Sequence, residues 1–328
     1  MVSRRNALQA LSLAASASYR DARGQTPGRS YRVGWVSASD AFKEEPYNQA
    51  FVQRLAELGF IEGRNLVIER RHYETKLEKI AALSAELGKL KCDAFFGGGA
   101  EASLAALTQA NRQTPIVFVA VDFDPIATGD VLSLARPGGR VTGVSAIQSE
   151  LPAKRIELFK ELLPAMRKLA VFTNEQTVTQ LTLVQGTARR LGLELHIVDF
   201  KRPPFNYEAG FADATRAGAD ALLVLGSGLW VPARRLICEL ALKARLPTAF
   251  HQAQWLGTGG LMSYGFDFPK MWRRGAEMVV KVLNGAKVND IPMEQPTVFE
   301  LAFNKTTAKV LDIKIPNALI LRADRIIE

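Results

Sequence analysis

Lys91-Cys92-Asp93-Ala94-Phe95-Phe96-Gly97-Gly98-Gly99 and Gly218-Ala219-Asp220-Ala221-Leu222-Leu223-Val224-Leu225-Gly226-Ser227-Gly228 share one wording. Each has a polar approach, a short apolar run and a glycine-rich end. Each is followed by a segment of helical spacing, then by a strand opened by proline, at Thr114-Pro115 and Leu246-Pro247. A short apolar run bounded by turn residues reads as a strand covered on both faces, the habit of a parallel sheet. Its appearance once in each half predicts two similar α/β lobes. One shared phrase does not establish a duplication, because any α/β chain reuses these devices.

The same rhythm extends outward from both phrases. In the first half, strands are expected at Tyr31–Ser37, Asn65–His72, Cys92–Phe96 and Pro115–Val121. Helices are expected at Tyr47–Leu58, Lys76–Leu90 and Ala100–Ala110. In the second half, strands are expected at Leu169–Thr173, Leu193–Phe200, Ala221–Leu225 and Pro247–Phe250. The helices between them are Val178–Leu191, Tyr207–Ala217 and Pro232–Ala244. Strand and helix in strict alternation predict an α/β architecture of two Rossmann-like lobes. Ala135 to Ser145, with its Pro-Gly-Gly turn, reads as a crossing between the lobes. After Gly259 the chain is too short for a third domain. A strand at Gly260–Gly265, a helix at Met271–Leu283, a strand at Val298–Asn304 and a short helix at Thr306–Leu311 are expected to complete both sheets through several hinge crossings. The division is then residues 1–30 as export signal and linker. Residues 31–145 with about 265–296 form lobe 1, and 146–264 with about 297–328 form lobe 2.

The 328 residues suit two such lobes. The 42 lysines and arginines outnumber 33 acids, for a net charge of +9. The basic pairs Arg70-Arg71, Arg189-Arg190, Arg234-Arg235 and Arg273-Arg274 are scattered, with no interleaved aromatics and no recognition-helix pattern. A solvated surface is therefore expected, and no nucleic-acid partner. Cys92 and Cys238 are far apart and metal-ligand spacings are missing, so no metal site is expected; two free thiols fit better than a bridge. No cofactor is expected. Gly97-x-Gly99-x-x-Ala102 matches a dinucleotide fingerprint, but on the third βα unit and without the acidic residue about 20 positions on. His72, His196 and His251 lack a nucleophile partner, and the hydrolase, zincin and phosphate-loop motifs do not occur, so the chain is not read as an enzyme.

The N-terminus reads as an address. Met1 to Arg5 is basic, Ala7 to Ala17 is mildly apolar, and Ala15-Ser16-Ala17 is a cleavage candidate. Ser3-Arg4-Arg5-Asn6-Ala7-Leu8 approaches the twin-arginine pattern. Export by the general secretory or the twin-arginine route explains the polar stretch 18–30 better than a frayed amphipathic helix does. A periplasmic location follows. No cysteine follows the apolar stretch, so a lipid anchor is not indicated.

Ligands of open parallel sheets bind beyond the carboxyl ends of the strands. The informative residues are Ser37 to Ser39, Gly97 to Ala100 and Asp122 to Pro125 in the first half. In the second they are Thr173-Asn174, Gly226 to Trp230 and Gln252 to Trp255. They are small, polar or aromatic, as a cleft between lobes requires. Asp122 and Asp124 read either as a cation pair or as a turn before a helix.

Further phrases carry a family likeness. Thr114 to Val119, Asp124-Pro125, Ser133 to Gly139 with Val141 to Ser145, Leu58 to Asn65, Gly259 to Gly265, Glu294 to Glu300 and Ile315-Pro316 resemble the periplasmic substrate-binding proteins of ABC importers. The subfamily is the one that binds tryptophan and related amino acids. The likeness runs in order from about residue 31 to the end. It implies a type I periplasmic-binding-protein fold with a three-crossing hinge. It also implies a monomeric receptor that hands a small solute, an amino acid or small organic carboxylate, to an ABC permease and its ATPase. By position it implies that Gly98, Gly99, Ala100 and Glu101 offer backbone N–H groups to a carboxylate. Ser37, Ser39 and Asp124 would line one wall; Asn174, Ser227 and Leu229 the other; Tyr264 would lie near the hinge. Trp255, at a strand tip, completes the expected ligand-binding set. The sequence departs from the pattern at Gly226-Ser227-Gly228-Leu229, at Asn174-Glu175 and at the acidic Glu101. Lys43, Glu44, Glu45 and Arg234 are candidates for guiding docking on the permease. Two other readings stand beside the receptor: a ligand-sensing module for a separate signalling partner, and a nucleotide-dependent enzyme with a Rossmann-like lobe.

Overall fold

The computed structural model describes residues 28–37, 45–73, 76–110, 112–147 and 151–328. Two sheets organise them. The first contains β1 (Tyr31–Ser37), β2 (Leu66–His72), β3 (Ala94–Gly99), β4 (Ile116–Val121) and β5 (Val141–Ala146) in the order β2-β1-β3-β4-β5, every pair parallel. Helices α1 (Pro46–Glu57), α2 (Ile80–Lys89) and α3 (Glu101–Ala110) connect them. After α4 (Leu151–Leu162) the second sheet begins. It contains β6 (Lys168–Asn174), β7 (Glu194–Phe200), β8 (Ala221–Val224), β9 (Thr248–Phe250), β10 (Met262–Phe266), β11 (Phe299–Asn304) and β12 (Arg325–Ile327). Their order is β12-β11-β10-β9-β8-β6-β7. Only the β10–β11 pair is antiparallel. The accompanying helices are α5 (Val178–Arg190), α6 (Tyr207–Arg216), α7 (Arg234–Lys243), α8 (Phe268–Leu283), α9 (Lys305–Val310) and α10 (Asn317–Arg322).

Helix α8 decides how the lobes are joined. Asp267 Oδ1 accepts the Lys270 N–H at 3.0 Å and starts the helix. Phe268, Met271, Trp272, Val279 and Val282 then recur at helical spacing and are buried. They pack with Trp35, Phe51 and Phe96 of the first lobe, although α8 follows a strand of the second sheet. The chain therefore passes between lobes near 147–151, at Asp267, and again between 295 and 298. Just before the last passage, Glu294 bonds to the edge of β5 in both directions, Ser145 N–H to Glu294 O and Glu294 N–H to Gly143 O, each 2.8 Å. The tail thus extends the first sheet at residue 294 and completes the second with β11 and β12.

Two expectations change. Val141–Ala146 is not a crossing but the edge strand β5, with every residue buried; the crossing follows it. Helix α4 was not anticipated at all, although Leu151, Ile156, Phe159 and Leu162 are buried along it. Its Pro152 and five charged residues mask the apolar spacing. The glycines expected as a turn after the third strand lie inside β3 as far as Gly99. Cys92 and Cys238 are free thiols in different lobes. Residues 1–27, which contain the expected export signal, lie outside the described residues.

Candidate functional site

The carboxyl ends of β1, β3 and β4 face those of β6, β8 and β9 across a cleft. A cavity of about 540 Å³ lies between them. The first lobe contributes Ser37, Gly98 to Ala102, and Asp122 with Phe123. The second contributes Glu175, Gln176, Gly226 to Leu229, His251 and Gln252. Two helices add an aromatic wall: Tyr47 from α1, Phe268 and Trp272 from α8. The Tyr47 and Trp272 ring centroids are 4.8 Å apart, those of Phe268 and Trp272 5.7 Å. Gly98 makes room for this wall, because a Cβ there would lie 2.5 Å from Trp272 Cζ2. Gly99, at φ +130°, holds a backbone conformation that side-chain-bearing residues rarely adopt.

The second-lobe tips are fixed by hydrogen bonds among themselves. Asn174 Nδ2 donates to Ser227 Oγ at 3.1 Å, and Ser227 Oγ donates to Gln176 Oε1 at 2.8 Å. Leu229 N–H donates to the same Oγ at 3.2 Å. One donor and two acceptor positions are then in use, which is the whole capacity of a hydroxyl. Gln180 Oε1 accepts the Gly226 N–H at 2.9 Å and its Nε2 donates to Gly226 O at 2.8 Å.

Among the described residues, two side-chain hydrogen bonds run directly from lobe to lobe. Gln180 Nε2 also donates to Asp122 Oδ2. Arg234 Nη1 donates to Glu45 Oε2 at 3.0 Å. The first lobe is thus tied to the second at Asp122, which lines the cavity, and at Glu45.

Behind the cavity stands Arg155 of α4, fully buried. Its Nε donates to Tyr264 O at 3.0 Å, so it links the helix after the first crossing to the strand before the second. Burial pulls its pKa down to about 10, with the Asp122 charge acting in the opposite sense. His251 is buried too; desolvation, helped by the Arg155 charge, pulls its pKa down to about 3, and it is neutral at pH 7. Burial, with the Glu45 charge, raises the Tyr47 phenol far above its ordinary range. His251 Nδ1, Gln252 Oε1 and Trp272 Nε1 are buried without a hydrogen-bond partner. All three residues line the cavity and leave hydrogen-bonding capacity open at its wall.

The structure brings Ser37, Gly98, Gly99, Ala100, Glu101, Ser227 and Leu229 of the expected set to the cavity wall. Ser37 Oγ pairs there with His72 Nδ1 at 2.9 Å. Four others stand elsewhere. Asn174 supports Ser227 from behind. Asp124 Oδ1 accepts the Ile126 N–H at 2.9 Å and closes a turn, while its neighbours Asp122 and Phe123 take the wall. The Asp122–Asp124 pair is therefore a strand end and a turn; no metal-ligating cluster occurs among the described residues. Trp255 is wholly buried, stacked on Phe250 at 4.3 Å in the second lobe's core. Tyr264 packs between the cores of the lobes. Ser39 lies outside the described residues. Of the docking candidates, Glu45 and Arg234 are engaged with each other, and Lys43 and Glu44 lie outside the described residues. The strand-end rule reached Asp122, Phe123 and Gln252, and stopped one residue short of His251. Tyr47, Phe268 and Trp272 escaped it because they come from helices, where an aromatic reads as core.

Two α/β lobes, three crossings and a ligand-sized cavity closed between strand ends define a two-lobed binding protein of the type I periplasmic class. The family can be given as well: residues 43–327 match the model of the ABC transporter substrate binding proteins, and the chain belongs to that family. It is 26% identical over 267 residues to a tyrosine-binding protein of Clostridioides difficile strain R20291, covering 81% of this chain and 76% of the relative. It superposes on a conserved domain protein of Vibrio cholerae with a TM-score of 0.77 at 25% identity, covering 91% of this chain and 100% of the other. The fold of an ABC domain from Streptococcus pneumonia in complex with L-Trp superposes equally well, with a TM-score of 0.77 at 23% identity, 91% of this chain and 100% of the other.

Proposed function

We propose that the chain is the solute receptor of an ABC importer, taking a small amino acid or aromatic solute between its lobes and handing it to a membrane permease driven by its ATPase. The observation that carries this reading is the cavity of about 540 Å³ enclosed by strand ends of both lobes and spanned by Arg234–Glu45 and Gln180–Asp122. That size suits an amino acid or small aromatic molecule. Its aromatic wall, and a relative that binds tyrosine, make tyrosine and tryptophan the first solutes to test.

In this mechanism the solute first meets one lobe of an open form. The second lobe then rotates about the crossings, and the lobe-to-lobe bonds form over the ligand. The ligand drives closure only by the difference in its affinity for the closed and open forms. The closed form is the one the permease recognises. The receptor acts as a monomer in the periplasm, with the Met1–Ala17 segment as its export signal.

The test is a thermal-shift screen of the chain from Gly28 onward against amino acids, aromatic carboxylates, nucleosides and dinucleotides. A ligand at 100 times its dissociation constant stabilises the native state by about 2.7 kcal/mol. A shift with an amino acid or aromatic solute supports the receptor. Shifts confined to dinucleotides would replace it with the nucleotide-dependent enzyme.

A further inference from the structure

The charges that face the cavity have one sign. Glu101 from the start of α3, Asp122 from the end of β4 and Glu175 from the end of β6 line it, and no lysine or arginine does among the described residues. Arg155 is not among the lining residues; its Nε donates to Tyr264 O, its Nη1 and Nη2 are buried without a hydrogen-bond partner, and its positive charge acts on Asp122, so it offsets that carboxylate and not the two glutamates. Glu101 and Glu175 remain, one from each lobe. Both are exposed and neither is paired with a cation among the described residues. Closing the lobes on an empty or anionic content brings like charges together, which costs free energy. A cation between them reverses the sign of that cost and so binds the closed form preferentially.

The opposite wall suits the rest of such a molecule. Tyr47, Phe268 and Trp272 present contiguous aromatic surface, which accepts a flat apolar body and attracts a cation over a ring face. Trp272 Nε1 is a donor only, buried and unpartnered, and it asks for an acceptor on that body.

We infer that the recognised group is a cationic nitrogen and that a carboxylate is dispensable, so that the ligand class is an aromatic amine of which the aromatic amino acid is the carboxylated form. This rests on the receptor reading of the same cleft. A carboxylate, where present, is left to the backbone of the Gly98–Ala102 turn.

Two matched series isolate the group. They are tyrosine, tyramine and 3-(4-hydroxyphenyl)propionate, and tryptophan, tryptamine and indole-3-propionate. Binding is measured by calorimetry on chain freed of co-purified ligand by unfolding and refolding. In at least one series the amine is expected to bind about 100-fold more tightly than the propionate. A propionate that equals or exceeds its amine in the tighter-binding series overturns the inference and leaves the receptor standing. Binding of neither series, with a solute of another class bound in the wider screen, also overturns it. No binding by any solute overturns the receptor reading as well. Glu101→Gln and Glu175→Gln change exposed residues and are expected to fold. Each is expected to weaken amine binding about tenfold while leaving propionate binding unchanged or improved. Equal losses for both ligands would place these glutamates in the frame of the site and not in its selectivity, overturning the inference.

Discussion

Arg234 and Glu45 are 189 positions apart in sequence, yet Arg234 Nη1 lies 3.0 Å from Glu45 Oε2, with the glutamate side chain only 3% exposed. The two residues begin helices in different lobes, Glu45 at the N-cap of α1 and Arg234 as the first residue of α7. A helix start favours an anion and disfavours a cation. The Glu45 carboxylate therefore relieves the unfavourable placement of Arg234 while gaining from its own helix. The pair exists only when the lobes meet. Arg234→Ala or Glu45→Gln should weaken solute binding by about tenfold through a faster off-rate, a loss within the usual range of coupling energies. Stopped-flow dissociation checks it. An unchanged off-rate in both variants would show that the pair does not hold the closed form.

His251 makes stability depend on pH from about 6.5 downward, a window whose upper part lies above the ordinary carboxylate range. Its ordinary pKa is about 6.5 in the unfolded chain, and burial lowers it to about 3 in the native one. Between those values the unfolded state holds a proton that the native state lacks. The contribution is thus complete above about pH 6.5 and is lost as pH falls towards 3, by up to about 1.4 kcal/mol per pH unit. Glu57 is held down to about 2 by Arg273 and then Arg54, so what it adds is lost as pH falls from the ordinary value of 4.5 towards 2. Urea unfolding at pH 7.5, 6.0 and 5.0 should show a slope that His251→Gln removes. Equal slopes in the two proteins would assign the loss to other groups.

Gly98 is a test of the aromatic wall. Alanine there would set its Cβ 2.5 Å from a Trp272 ring that Tyr47 and Phe268 already confine. Gly98→Ala should cost about 1–3 kcal/mol of stability, the usual range for overpacking, and weaken ligand binding by moving the ring. Thermal unfolding and near-ultraviolet circular dichroism report the two effects. A variant with wild-type stability and affinity would mean that the tryptophan is free to shift.

The two thiols should be inert. Burial pushes both up to about 11, and they lie in different lobes. Adding reductant should leave the melting temperature unchanged, and Cys238 should react with a disulfide probe only on unfolding. A melting temperature lowered by reductant would reveal a bridge.

Legibility differed by element for physical reasons. β3 and β8 were readable because a strand covered on both faces is an uninterrupted apolar run. The helices with a clean apolar stripe, such as Met271–Leu283, were readable from spacing. α4 was not, because its buried face includes Arg155, which reads as surface. α10 and β12 have six and three residues and fall below any periodicity. At the site, the strand-end rule found Gly98 to Ala100 and Ser227, the family resemblance added Glu101, and neither gave a way to separate Asp122 from Asp124. That choice is made by the backbone: Asp122 has φ +65°, and the chain then turns, sending Asp124 into its Ile126 bond. Trp255 was misplaced because a tryptophan after a strand can stack on the wall or under it.

The sequence by itself determined that there are two α/β lobes and which strand ends supply their tips, since hydrophobic period and turn residues act over a few positions. Only the tertiary structure decided what the tips enclose. The crossing after β10 lays α8 against the first lobe and thereby puts Phe268 and Trp272 at the cleft. The same closure pairs Arg234 with Glu45 and leaves Glu101 and Glu175 facing one cavity. Such relations depend on distances between residues far apart in the chain, and no local pattern encodes them.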